Sequence, residues 1–138
     1  VCDRSDEHKS EVLIIEDERS IADALKIILE DNGYRVSIAT TGRDGIDEAL
    51  RGKFCLTITD VGLSDISGFD VVRAIFPQKL QMHFIIITSN DSQHLMAEAR
   101  RCGAAGVLLK PFLPSEILEL IGTTLANPRR SGDEEFLP

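Results

Sequence analysis

Residues 56–68 read LTITDVGLSDISG. Leu56, Thr57, Ile58 and Thr59 form an apolar and β-branched run, the mark of a buried strand. The run stops at one carboxylate, Asp60. A loop of small and polar residues follows, and Ser67 and Gly68 then open a helix. A strand that ends in an acid ahead of a strand-to-helix loop delivers that acid to the carboxyl edge of a sheet. In open α/β sheets, ligands bind at this edge. Alone, Asp60 reads equally well as an ordinary turn residue, so the flanking sequence has to decide.

Upstream, Val12 to Ile15 form a short apolar run that ends in Glu16, Asp17 and Glu18. Ser20 then reads as a helix start with Asp23 three residues on, as in a capping box. Ile21, Leu25, Ile28 and Leu29 recur at helical spacing, and Asn32-Gly33 ends that helix. Tyr34 to Ala39 is a second strand. Ile46, Ala49 and Leu50 mark a second helix closed by Gly52. The central strand begins near Phe54. Beyond the loop, Phe69, Val72, Ile75 and Phe76 fit a third helix stopped by Pro77. Phe84 to Thr88 is a fourth strand with a polar end, Thr88-Ser89-Asn90-Asp91. Leu95, Ala99 and Cys102 mark a fourth helix capped by Gly103. Gly106 to Leu109 is a fifth strand that runs into Lys110-Pro111-Phe112. Ile117, Leu120, Ile121 and Leu125 form the last helix, with Pro114 in its first turn. Residues 1–10 read as a polar tail, 11–126 as one domain, and 127–138 as a tail or linker.

Five strands alternating with five helices predict an α/β fold, a doubly wound parallel sheet with helices on both faces. Right-handed crossovers leave few topologies, and the order 2-1-3-4-5 suits a chain of this length. The switch point then falls between the first and third strands.

The chain has 138 residues, 43% of them hydrophobic, and a net charge of −8. That charge opposes non-specific nucleic-acid binding, so no direct nucleic-acid contact is expected of this domain. Apolar runs are too short to span a membrane, and the N-terminus has no signal-peptide pattern. The three cysteines, Cys2, Cys55 and Cys102, lack metal-ligand spacing. Cys55 and Cys102 fall in apolar patterns and read as packed thiols in a cytoplasmic protein. His83 and His94 read as surface residues.

The strand ends carry the chemistry. The first brings Glu16 and Asp17, the third Asp60, the fourth Thr88 and the fifth Lys110. In the 2-1-3-4-5 order Asp17 and Asp60 become neighbours. Crowded carboxylates raise one another's pKa, and a hard divalent cation relieves the repulsion. A cation, a lysine, a hydroxyl and a free carboxylate together suit a phosphoryl group, whose oxygens need positive charge and donors during transfer. Asp60 is the natural nucleophile, because carboxylates form acyl phosphates.

With these motifs in place, residues 11–126 resemble the receiver domain of bacterial two-component response regulators, of the chemotaxis-regulator type. The motifs are VLIIEDE at 12–18, LTITD at 56–60, Gly68 eight positions after Asp60, FIIITS at 84–89 and GVLLKPF at 106–112. The resemblance implies a flavodoxin-like fold with Asp60 as phosphoacceptor. It implies Mg²⁺ or Mn²⁺ held by Asp17, Asp60, the Gly62 carbonyl and, through water, Glu16. It also implies Thr88, Ser89 and Lys110 around the phosphoryl oxygens, and a cis Lys110–Pro111 peptide. A sensor histidine kinase or histidine phosphotransfer protein would be the donor, with a downstream effector as target. The domain would be a monomer or weak dimer, with self-catalysed phosphotransfer and autodephosphorylation as its only chemistry. Three positions depart from the family. Ser64 replaces a usual proline, which predicts a looser loop. Gly62 replaces a larger side chain. Val107 stands at the aromatic switch position that works with Thr88.

Two rivals belong to other classes. An aspartate-nucleophile phosphatase typically carries a second acid two residues after the nucleophile, where this chain has Gly62. A receiver-like interaction module that is never phosphorylated usually lacks the Asp, Thr or Lys, and all three are present here.

Overall fold

The computed structural model describes residues 10–127. Within them, each expected strand and helix is present. In chain order they are β1 (Glu11–Ile15), α1 (Arg19–Asp31), β2 (Arg35–Ala39), α2 (Gly42–Arg51), β3 (Leu56–Asp60), α3 (Gly68–Ile75), β4 (His83–Thr88), α4 (Gln93–Cys102), β5 (Gly106–Leu109) and α5 (Pro114–Ala126). The strands make one parallel sheet in the order β2-β1-β3-β4-β5. Register sets Ile15 opposite Thr59 and Thr88 opposite Leu109, so the strand ends line up along one edge.

The apolar runs are continuous because the inner strands are buried on both faces. Val12, Ile14, Leu56, Ile58, Ile85 and Ile87 face α1 and α5, where Leu25, Leu29, Ile117 and Ile121 meet them. Leu13, Ile15, Phe84 and Ile86 face the other way, onto Ala49 of α2, Val71 and Ile75 of α3, and Ala99 and Cys102 of α4. Each such large side chain, once fully buried, contributes roughly 1.5–3 kcal/mol. The two half-cores make the sheet a stiff platform for whatever its carboxyl edge carries.

Helix ends follow local chemistry. Ser67 and Ser92 accept from the N–H groups of Phe69 and Leu95 and so cap α3 and α4. Gly103, with φ 109°, takes the left-handed position after α4. Glu116 reaches back to the Leu113 N–H at 2.7 Å, ahead of Pro114.

Four details differ from the sequence reading. Ser20 does not cap α1; Glu18 is the flanking residue and Ser20 lies inside the helix. The reason is that the Glu18 carbonyl already accepts the first helical N–H groups, those of Ile21 and Ala22, both at 3.1 Å. β3 starts at Leu56 rather than near Phe54. His83 is not a surface residue: it is the first residue of β4 and is buried. Cys55 and Cys102 are both packed in the buried core, as expected, whereas Ser10, expected in the polar tail, is buried as well. Ser10 lies against the sheet, its carbonyl accepting the Arg35 N–H at 2.9 Å. Of the tails expected over 1–10 and 127–138, residues 1–9 and 128–138 lie outside the described residues.

Candidate functional site

The edge of the sheet brings together side chains from β1, β3 and β5. Glu16 follows β1 directly and is held there by its own N–H, which donates to the Ala39 carbonyl at 3.0 Å. Its side chain is buried. Asp60 ends β3 with 8% of its surface exposed, and Asp17 is exposed. Oxygens of Glu16, Asp17 and Asp60 lie within 4.8 Å of one another. Lys110, just past β5, places its ammonium 3.2 Å from Asp60 Oδ1 and 3.4 Å from Glu16 Oε1. Its peptide bond to Pro111 is cis, as the family resemblance implies.

The electrostatics follow from this crowding. Burial first, then the Asp60 charge, pushes the Glu16 carboxyl above its ordinary pKa. Burial pulls the Lys110 ammonium down, but Asp60 and then Glu16 outweigh it, so its pKa stands above the ordinary value. Lysine therefore stays charged among the three acids.

Glu16 Oε1 is buried and, beyond the loose ion pair with Lys110, accepts no hydrogen bond. A buried carboxylate oxygen without a donor is costly, and it marks where a further positive group belongs. An all-oxygen donor set of carboxylates, open to water on the Asp17 side, suits a hard divalent cation such as Mg²⁺. These residues could hold one.

Thr88 ends β4 and is buried. Its hydroxyl accepts the Asn90 N–H at 3.1 Å, and its carbonyl accepts the Lys110 N–H at 2.8 Å. The backbone thus ties the threonine to the lysine. Ser89 is exposed next to it. Gly62 is exposed beside Asp60, where an added Cβ would meet only Asp60 Oδ2, at 3.9 Å. Val107 pairs with Ile86 on β4 and packs half-buried against the α2–α4 half-core.

Gly68 is required by close approach. A Cβ there would come within 2.2 Å of the Asp60 carbonyl oxygen. The Gly68 N–H donates to the Val61 carbonyl at 2.9 Å, which closes the loop between β3 and α3. That loop is also tied to α2. Asp65 anchors it by accepting the N–H groups of Gly42 and Arg43 at 2.8 and 2.9 Å. Those two bonds hold the Asp65 carboxyl below its ordinary pKa, Arg43 first and Gly42 second. Asp65 escapes sequence reasoning because its partners lie 23 and 22 positions away. No periodic or local signal reports such a cap.

Comparison with known proteins agrees with this geometry. Residues 12–122 match the family described as the response regulator receiver domain. The transcriptional regulatory protein YkoG of Bacillus subtilis is 36% identical over 124 residues, covering 90% of this chain and 53% of that protein. The response regulator SaeR of Staphylococcus aureus is 29% identical over 119 residues, covering 86% of this chain and 52% of its own length. The chain therefore spans about half the length of these curated relatives. Among solved structures, a CheY-like receiver domain protein from Methanospirillum hungatei superposes with a TM-score of 0.83 at 29% identity, covering 86% of this chain and 95% of that one. The receiver domain of a LuxO repressor protein from Vibrio parahaemolyticus gives 0.81 at 31% identity, covering 86% and 92%. Among the described residues no helix is long and apolar enough to cross a membrane. Sheet order, acidic edge and family match converge: this chain belongs to the response regulator receiver domains of two-component signalling.

Proposed function

We propose that Asp60 accepts a phosphoryl group from a histidine kinase or histidine phosphotransfer protein. The observation that carries this reading is Lys110, whose ammonium lies 3.2 Å from Asp60 Oδ1 inside a three-carboxylate cluster. A carboxylate oxygen of Asp60 attacks phosphorus, the new O–P bond forms, and the N–P bond to the donor imidazole breaks. The imidazole nitrogen leaves with the bonding pair. Lys110 remains beside the group and faces the oxygens that gain charge. Thr88 offers a hydroxyl at the neighbouring strand end, and Ser89 a further donor. Asp17, Asp60 and the Gly62 carbonyl would hold Mg²⁺ or Mn²⁺, with Glu16 acting through water. The bound ion would neutralise charge on the phosphoryl oxygens. Phosphorylation then biases Thr88 and the loop at 89–91, shifting the population toward a form read by an effector. Val107 has no ring to flip and is stiff at χ1, so the threonine and this loop carry the change. Gly62 leaves no second acid for turnover of external phosphoesters. A small acyl or amido phosphate with Mg²⁺ tests the reading: it should label the protein with one hydroxylamine-sensitive phosphoryl group, and no labelling would refute it.

The cation arm has its own test. Asp17 is exposed, so Asp17→Ala should leave thermal stability near that of the wild type. Mn²⁺ affinity should fall by roughly 10–100-fold or more, since even removing a group that only orients a ligand costs that much. Titration followed by electron paramagnetic resonance reads it directly, and unchanged affinity would remove Asp17 from the ligand set.

Gly62→Met should lengthen the life of phospho-Asp60. A Cβ added at position 62 makes only an ordinary contact with Asp60 Oδ2, at 3.9 Å. The side chain can therefore lie over the acyl phosphate and obstruct attacking water. Decay of labelled protein measures it, and equal decay in both forms would end the idea.

A further inference from the structure

Asp65 sits in the loop between β3 and α3, yet its carboxylate works on α2. Oδ1 accepts the Gly42 N–H at 2.8 Å and Oδ2 the Arg43 N–H at 2.9 Å. Thr41 serves the next donor, accepting from the Asp44 N–H at 3.1 Å. The first turn of α2 thus takes two of its acceptors from a distant loop, where orphan N–H groups need partners. The next residue reinforces the contact. A Cβ on Gly42 would lie 2.5 Å from Ile66 Cγ1 and 3.1 Å from Val71 Cγ2. Only a bare α-carbon at 42 lets Ile66 seat so closely. The other end of the loop is also fixed, because the Val61 N–H donates to the Ile87 carbonyl at 3.0 Å and the Val61 carbonyl accepts from Gly68. Gly62, Leu63 and Ser64 are therefore strung between two anchors, Val61 and Asp65.

We propose that Asp65 is a positioning residue for the acceptor loop: by clamping the loop to the first turn of α2, it holds the Gly62 backbone beside Asp60. The inference rests on the proposed role of Gly62 in cation binding. A short span fixed at both ends has little freedom left to lose, so its backbone is organised before the ion arrives. The Arg43 guanidinium, 3.9 Å from Asp65 and largely exposed, adds little to the clamp.

Mn²⁺ titration, with thermal unfolding measured without metal, tests this on the wild type and three variants. Asp65→Ala should weaken Mn²⁺ binding roughly tenfold, the scale of losing a group that orients a ligand. Asp65→Asn keeps one carbonyl acceptor and should fall between alanine and wild type. Thr41→Val removes the local cap of α2 while leaving the clamp, and should bind Mn²⁺ as the wild type does. Three results overturn the proposal: wild-type affinity in Asp65→Ala; an asparagine variant as weak as alanine, which assigns the loss to charge alone; or an equal loss in Thr41→Val, which assigns it to fraying of α2. If Asp65→Ala does not fold, the asparagine and Thr41→Val comparison decides. A wild type that binds no Mn²⁺ rejects the parent reading, and this one with it, which separates the two failures.

Discussion

Asp60→Asn should bring phosphoryl incorporation down to background while leaving a folded protein. The amide has nearly the same shape as the carboxylate, so the site at the end of β3 is not overpacked. Its nitrogen has no lone pair available for attack, and its oxygen is a poor nucleophile compared with a carboxylate. Fold stability should hold for an electrostatic reason as well. Asp60 is one of the causes that raise the Glu16 pKa, so a neutral residue there relaxes the crowding around the buried acid. Lys110 keeps Glu16 as its partner, 3.4 Å away. Acid-labile, hydroxylamine-sensitive label counted after incubation with a small phosphodonor reads the effect. Label at the wild-type rate in the variant would place the acceptor elsewhere.

Gly68→Ala should be strongly damaging for a single added methyl. Its Cβ would fall 2.2 Å from the Asp60 carbonyl oxygen, 2.9 Å from the Asp60 carbonyl carbon and 3.0 Å from Val61 Cα. All three are backbone atoms and cannot swing aside as a side chain can. Overpacking of this kind costs about 1–3 kcal/mol, a fall in Tm of roughly 3–12 °C for a domain of this size. Because the atoms that must move carry Asp60, phosphorylation should slow with it. Gly122→Ala provides the opposite sign. That glycine lies inside α5 with nothing within 4 Å of the added methyl, so alanine there should stabilise by about 0.5–1 kcal/mol. Calorimetry on both variants checks the pair. A Gly68→Ala protein as stable as the wild type would show that the loop yields.

Much of this architecture is written in local patterns. Val12 to Ile15, Leu56 to Thr59 and Phe84 to Ile87 read as strands because strands buried on both faces form short, nearly unbroken apolar runs. Glu16, Asp60, Thr88 and Lys110 stand out because each interrupts such a run at its carboxyl end. What the sequence hides depends on contacts between segments. Asp65 reads as a loop acid, and its meaning comes from N–H groups that only the folded chain brings near. Ser20 reads as a cap because cap chemistry is local, but the helix has already begun at Glu18, whose carbonyl accepts from Ile21 and Ala22. His83 reads as exposed because polarity is the only cue, whereas its place at the head of β4 buries it. Pattern reports which face a residue takes, and it is silent about the single partner that face will find.

Lys110 reaches the cluster from just past β5, the last strand, so its charge joins the acids only once β5 has docked. Glu16, Asp17 and Asp60 all belong to the first sixty residues, whereas the cation that balances them arrives with β5. Pairing of β1 with β3 alone would draw the acids together with no lysine to offset them. Parallel pairing already requires distant segments to meet before it is rewarded, which slows folding. Here the acids add repulsion to that delay. A nascent or truncated chain ending before Lys110 would therefore carry its penalty at the sheet edge, and the docking of β5 is the step that removes it. The lysine that faces Asp60 in the finished domain also offsets the repulsion among the early strands' acids.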